Sequence, residues 1–229
     1  MLTKENAIQN LDELIKRVEF ARLQVSGHKI VQIVGVSKYN TSEDVTCVYN
    51  AGQRAFGENK VQDLKSKQDE LNDLPISWHF IGTLQKNKIN NLIDANPTLT
   101  HSLDSLDLAM ELDKKLAQKN KTMNCLLQIN SSYEDSKSGV DPKDAVEIYK
   151  TIQKECSNIT LKGVMTIGAN SENKNEIMKS FTLTKEIFDQ CPDATICSMG
   201  MSGDFELAIA CGSNMIRVGS GLFKKNEDL

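Results

Sequence analysis

Lys38 stands two residues beyond the apolar run IVQIVGV (30–36), in the segment GVSKYN. A lysine at the carboxyl end of a buried strand leans into a rim where it is partly desolvated. Desolvation disfavours the ammonium form and exposes a nucleophilic amine that can condense with an aldehyde. The plainer alternative is a solvated loop lysine, since lysines are common in loops. Two other segments carry groups that suit an anion. SMGMSGD (198–204) offers the hydroxyls of Ser198 and Ser202, two glycines, and backbone N–H groups at the start of a helix. Orphan amides and the helix dipole both favour negative charge there. RVGSG (217–221) adds Gly219 and Gly221, which permit close backbone approach, together with Ser220 and the fixed charge of Arg217. Taken singly, each is also an ordinary Gly/Ser turn. FGENKVQ (56–62) and HFIGTLQKNK (79–88) contribute Asn59, His79 and Gln85 as polar contacts to a ligand ring, although His79 also reads as a core histidine satisfied by the backbone.

These groups act together only if the elements around them bring them to one place. Residues 3–24 predict a helix capped by Thr3, with Ile8, Leu11, Leu14, Ile15, Val18 and Leu23 on one face. Strands are predicted over 29–36, 54–56, 77–82, 99–103, 123–130, 161–168, 195–198 and 214–219, from β-branched density and apolar runs. Helices fall between them. Thr41 with Asp44 forms a capping pair and Gly52 the stop of one helix, and Asp141-Pro142 opens another that runs to Cys156. Eight strands alternating with helices predict an α/β fold, a (β/α)8 TIM-type barrel over residues 1–229 as a single domain. The chain ends soon after the eighth strand, so the N-terminal helix is expected to complete the outer ring. A doubly wound open sheet is the alternative, because periodicity does not report closure. In either architecture ligands gather at the carboxyl ends of the strands. In barrels phosphates use the loops after strands seven and eight, where the two Gly/Ser segments fall.

The composition narrows the partners. With 39% hydrophobic and 25% charged residues the balance is globular, and a formal net charge of −4 gives no attraction to nucleic acid or an anionic membrane. Lys86/Lys88 and Lys224/Lys225 read as solvated faces. The N-terminal stretch lacks the apolar core of a signal peptide, and no run is long enough to span a bilayer. The six cysteines form no CxxC pair and the three histidines lack ligand spacing, so buried reduced thiols, no metal and a cytoplasmic location are expected.

The segments VGVSK (34–38), AGQRAFGENKVQ (51–62), WHFIGTLQKNK (78–88), LLQINSSYEDSKSGV (126–140), LKGVMTI (161–167), SMGMSGDFELAIACGS (198–213) and IRVGSGLF (216–223) together resemble the YggS/PROSC-type pyridoxal phosphate homeostasis proteins. Their barrel is similar to the N-terminal domain of alanine racemase. The match spans nearly the whole chain; Lys224, where the family usually has glycine, is one departure and lies beyond the inferred phosphate loop. The resemblance implies that Lys38 holds pyridoxal 5'-phosphate (PLP) as a Schiff base. It further implies that Ser198, Ser202, Gly219 and Ser220 hold the phosphate, that Arg217 faces the pyridine nitrogen, and that Asn59, His79 and Met201 lie around the ring. It assigns no role to the Gln85–Lys88 segment.

Arginine can only donate a hydrogen bond, so a nitrogen facing it stays unprotonated and the ring is a weakened electron sink. Racemisation needs acid/base groups on both faces of the substrate carbon. The tyrosine that alanine racemase draws from a second domain has no evident counterpart among Tyr39, Tyr49, Tyr133 and Tyr149. The expectation is a non-catalytic protein that buffers or delivers PLP, with amino acids and recipient PLP enzymes as partners. A PLP-dependent racemase or lyase is the alternative, and a cofactor-free Schiff-base aldolase a more distant one. No amphipathic seam suggests an oligomer, so a monomer is expected.

Overall fold

In the computed structural model, which describes residues 2–25, 30–134 and 137–225, eight parallel strands close into one barrel. They are β1 (Gln32–Val36), β2 (Ala55–Glu58), β3 (Ser77–Phe80), β4 (Leu99–Leu103), β5 (Met123–Gln128), β6 (Ile159–Met165), β7 (Ile196–Ser198) and β8 (Met215–Val218). Closure is made by β1 against β8, with Gln32 opposite Met215 and Gly35 opposite Val218. The open-sheet alternative is thereby excluded.

Among the described residues eight α-helices surround the barrel: α1 (Lys4–Val25), α2 (Ser42–Ala51), α3 (Val61–Glu70), α4 (Ile89–Ala95), α5 (Leu106–Gln118), α6 (Ala145–Glu155), α7 (Lys174–Phe188) and α8 (Phe205–Ala210). The capping signals hold. Thr3 Oγ1 accepts from the Asn6 amide, Thr41 and Asp44 form a capping box, and Gly52 closes α2 at φ +128°. At Asp141 the chain first makes a turn over 142–144, with Asp141 Oδ1 accepting from the Lys143 amide, and the helix begins at Ala145. The strand predicted from residue 29 starts at Gln32; Lys29 itself lies outside the described residues.

α1 packs between α2 and α8 and fills the place of an eighth covering helix. Its buried face differs from the one the sequence suggests. Ala7, Leu11, Leu14, Val18 and Ala21 are buried, while Ile8, Ile15 and Leu23 are exposed. The small residues Ala7 and Ala21 let the helix lie close to its neighbours, which turns the bulkier Ile8 and Ile15 to the edge. Behind it, Asp44 joins three segments: its carboxylate accepts from the Leu2 amide at 2.9 Å and pairs with Lys225 at 3.2 Å.

There are two cores. The larger lies between strands and helices, while a smaller one inside the barrel is formed by Val34, Leu99, Leu126, Met165 and Met215. Side chains alternate across a strand, so the residues two positions further on face the same interior one layer nearer the carboxyl ends. Those residues include His101 after Leu99, Gln128 after Leu126, and Arg217 after Met215. Ser198 stands in the same relation to Ile196, which packs against the inner cluster. The barrel thus has an apolar floor beneath a polar layer.

Leu14→Ala should destabilise the protein by about 2–4 kcal/mol, whereas Ile15→Ala should cost less than about 1 kcal/mol, as judged by urea unfolding.

Candidate functional site

β7 and β8 are adjacent, and the loops that follow them leave the same end of the barrel side by side. After Ser198 the chain bends at Gly200, φ +98°, where a Cβ would lie 2.6 Å from Ala208 Cβ. Only glycine accommodates both the angle and the contact. Asp204 closes this loop by accepting from the Met201 amide at 2.6 Å, and burial pushes the Asp204 carboxyl up from its usual range. The two loops are tied together by the Gly219 amide, which donates to Ser202 Oγ at 3.3 Å.

The amides at the start of α8 differ from expectation. Those of Asp204 and Phe205 both donate to the Met201 carbonyl and are already committed. The backbone amides of Ser202, Gly203, Ser220 and Gly221 donate to nothing among the described residues. Ser202, Ser220 and Gly221 line a cavity of about 210 Å³ together with Val218, Phe205 and Arg17 of α1. Arg17 stacks over the Phe205 ring at 4.7 Å and pairs with Glu206. Uncommitted amides beside hydroxyls form a concavity suited to an anion.

Lys38 lies at the same end, on the turn that follows β1. The Asn40 amide donates to the Ser37 carbonyl, Tyr39 sits at φ +71°, and the Lys38 side chain is exposed, with Nζ 5.7 Å from the Tyr39 ring centre. The partial desolvation expected of this lysine is not found, because β1 ends at Val36 and the turn carries the side chain into solvent. What is buried is its base. Ser37 is fully buried, and its hydroxyl donates to Glu58 Oε1 at 2.6 Å. Lys67 Nζ, reaching in from α3, donates to the same oxygen at 2.5 Å and to the Ser37 carbonyl at 2.8 Å. A buried ion pair thus grips the residue next to Lys38 by both its side chain and its backbone. Asn59, one residue beyond Glu58, is half-buried; its carbonyl packs so closely under Gly82 that a Cβ there would fall 1.9 Å from the oxygen.

Below the rim lies the polar layer. Arg217 Nη1 donates to Ser198 Oγ and Nη2 to the Thr166 carbonyl, both at 2.8 Å. Ser198 Oγ is 3.3 Å from His101 Nδ1, His101 Nε2 is 2.9 Å from His79 Nδ1, and His79 Nε2 is 3.3 Å from Ser77 Oγ. Burial pulls Arg217 down to about 10, so it keeps its charge at neutral pH. Burial also holds His79 at about 4 and His101 well below its usual value, the latter aided by the charges of His79 and Arg217.

The structure therefore gathers Lys38, Ser202, Gly219 and Ser220 at one rim, with Met201 exposed beside them and Arg217 immediately beneath. Ser198, grouped with the phosphate residues by sequence, is held apart, its hydroxyl sealed between Arg217 and His101. His79 is a satisfied interior histidine, but its partners are the side chains of Ser77 and His101 rather than the backbone. Gln85 is exposed and precedes a 3-10 turn (Lys86–Lys88), with Lys86 paired to Asp107. Sequence reasoning passed over Ser37, Glu58, Lys67, His101 and Thr166. For His101 a signal existed in the period-two alternation Leu99, His101; Lys67 reads as one more charge on a polar helix. Among the described residues no group of three or more His, Cys, Asp or Glu side chains is arranged to hold a metal, and no helix is long and apolar enough to cross a membrane.

The family model described as "Alanine racemase, N-terminal domain" matches residues 9–227. A pyridoxal phosphate homeostasis protein of Helicobacter pylori is 54% identical over 217 residues, 95% of this chain and 98% of that protein. Among solved structures, PipY of Synechococcus elongatus superposes with a TM-score of 0.76 when PLP is bound and 0.80 without it, at 32% and 33% identity, each covering 91% of this chain and 99% of that one. Alanine racemase of Corynebacterium glutamicum, at 14% identity and a TM-score of 0.73, covers 96% of this chain and 61% of its own, a likeness of fold alone.

The interior histidines imply a pH dependence of stability. A folded-state value of about 4 against an ordinary 6.5 means the folded protein binds fewer protons than the unfolded chain, so His79 stabilises the fold above pH 6.5 and that contribution fades as pH falls toward 4. Urea unfolding at pH 7 and pH 4 should show a loss of roughly 3 kcal/mol from this group, and His79→Gln should flatten that dependence.

Proposed function

The chain belongs to the pyridoxal phosphate homeostasis proteins, built on the alanine racemase N-terminal barrel, and from that premise we propose that it binds PLP at the rim of the barrel, as a Schiff base on Lys38. The observation that carries this reading is the common rim: an exposed primary amine after β1, and uncommitted amides and hydroxyls after β7 and β8. PLP presents an aldehyde at one end and a phosphate at the other, and this donor set matches both. The hydroxyls of Ser202 and Ser220 and the free amides of Gly203 and Gly221 hold the phosphate, and Gly219, its amide donating to Ser202 Oγ, keeps the two loops together beside it. Asn59 and Met201 border the ring, and the Glu58–Lys67 pair keeps the Lys38 turn in place.

Arg217 supports a role in handling the cofactor rather than in turnover. PLP when bound supplies an electron sink, whose strength depends on a protonated ring nitrogen. A guanidinium that stays charged and can only donate leaves that nitrogen unprotonated. The four tyrosines offer no evident second base: Tyr149 is buried in the outer core with its hydroxyl donating to the Leu161 carbonyl, Tyr49 lies under Arg54, and Tyr39 and Tyr133 are exposed. The protein accordingly buffers PLP, or passes it to recipient enzymes, in the cytoplasm and as a monomer.

Two measurements test this. Protein mixed with PLP should turn yellow and become permanently labelled on borohydride reduction, and Lys38→Ala should lose the label; retention of the label by that variant would move the covalent site elsewhere. Incubation with both enantiomers of a panel of amino acids in deuterated water should give no sustained exchange at the α-carbon. Exchange abolished by Lys38→Ala would replace this reading with a racemase or lyase.

A further inference from the structure

Arg217 is the one member of the buried polar layer that cannot accept a hydrogen bond, and this one-way chemistry propagates. Ser198 Oγ accepts from Arg217 and has one other partner among the described residues, His101 Nδ1. If the hydroxyl accepted from both, its own proton would be buried without an acceptor, an arrangement that folded proteins avoid. The hydroxyl therefore donates to His101 Nδ1. A neutral imidazole that accepts at Nδ1 carries its proton on Nε2, and this Nε2–H faces His79 Nδ1. His79 accepts in turn, and its own Nε2–H donates to Ser77 Oγ. The opposite polarity would also turn an N–H of His101 toward the same hydroxyl that the Arg217 cation occupies, so electrostatics selects the same direction.

We propose that Ser198, His101 and His79 form a polarised positioning relay for Arg217. Both imidazoles are locked as the neutral Nε2–H tautomer, and the chain fixes the plane of the guanidinium and hence the direction of its uncommitted N–H groups. The relay rests on the reading above in one respect, that Arg217 faces the ring nitrogen of PLP. None of the three residues is required to touch the cofactor. The Thr166 carbonyl holds the second edge of the guanidinium, so the plane is defined at two points, and only the Ser198 edge depends on the histidines.

The experiment is nuclear magnetic resonance of protein with 15N-labelled histidine, with and without PLP, assigned by His79→Gln and His101→Gln. Both rings should show the neutral Nε2–H pattern from pH 8 to about pH 5.5, above the range where His79 titrates. An Nδ1–H tautomer or an imidazolium at neutral pH in either ring overturns the relay. A second arm compares His101→Leu with His101→Gln. The glutamine can still accept from Ser198 and donate to His79, and the leucine can do neither. The leucine variant should bind PLP about tenfold more weakly, with an altered visible spectrum, while the glutamine variant stays near the parent in both. Unchanged affinity and spectrum in His101→Leu overturn the positioning role. Should that variant not fold, Ser198→Ala breaks the chain one link nearer Arg217 and carries the same expectation. Failure of the parent protein to bind PLP at all would sink the functional reading without altering the tautomers, so the two failures are distinguishable.

Discussion

A charged guanidinium sealed inside a barrel is the constraint around which this interior is organised. An isolated buried charge is too costly to keep, so Arg217 must find acceptors. Among the described residues it finds a hydroxyl and a carbonyl, from β7 and from the residue after β6. It has no carboxylate in hydrogen-bond contact. The acidic group whose charge acts on it is Asp204, itself half-buried and engaged with the Met201 amide. The positive charge is therefore left largely uncompensated beneath the mouth. An anionic or electron-rich ligand would complete the site, and a second cation would be repelled.

The rim follows a different logic. Lys38 is exposed there, and its turn is fixed from below by the Glu58–Lys67 pair acting on Ser37. Breaking a buried pair of this kind leaves an uncompensated charge, which typically costs a few kcal/mol, so the pair also commits α3 to the position of the β1 loop. The loops after β7 and β8 are held by the Gly219 amide donating to Ser202 Oγ and by the close approach of Gly200 to Ala208. An exposed amine thus stands over a buried, hydrogen-bonded frame.

Barrel closure brings these parts together. β1 pairs with β8, so the Lys38 loop and the loop after β8 are neighbours although nearly the whole chain separates them. α1 supports that seam from outside: its Asn10 Nδ2 donates to the Leu222 and Lys224 carbonyls just beyond the loop. The first helix and the segment that follows β8 are thus parts of one structure.

Much of this was legible from residue order alone. The alternation of apolar runs with capped helices predicted eight strands, and the Thr41–Asp44 box and the Gly52 stop were found where they were expected, because such signals depend on residues three or four apart. The clustering of Lys38 with the Gly/Ser loops also followed, since parallel strands put every such loop at one end. Three things awaited the tertiary structure. The face of α1 was set by which neighbours it packs between, so small Ala7 and Ala21 went inward and Ile8 and Ile15 to the edge. Lys38 came out solvated because a positive-φ turn, rather than the strand, directs it. The pairing of Lys67 with Glu58, and the chain from Ser77 to Arg217, join residues from different strands and helices. Local patterns report which way a residue faces along its own element, whereas a buried polar group is defined by the partner across the barrel, and only the folded chain brings that partner within reach.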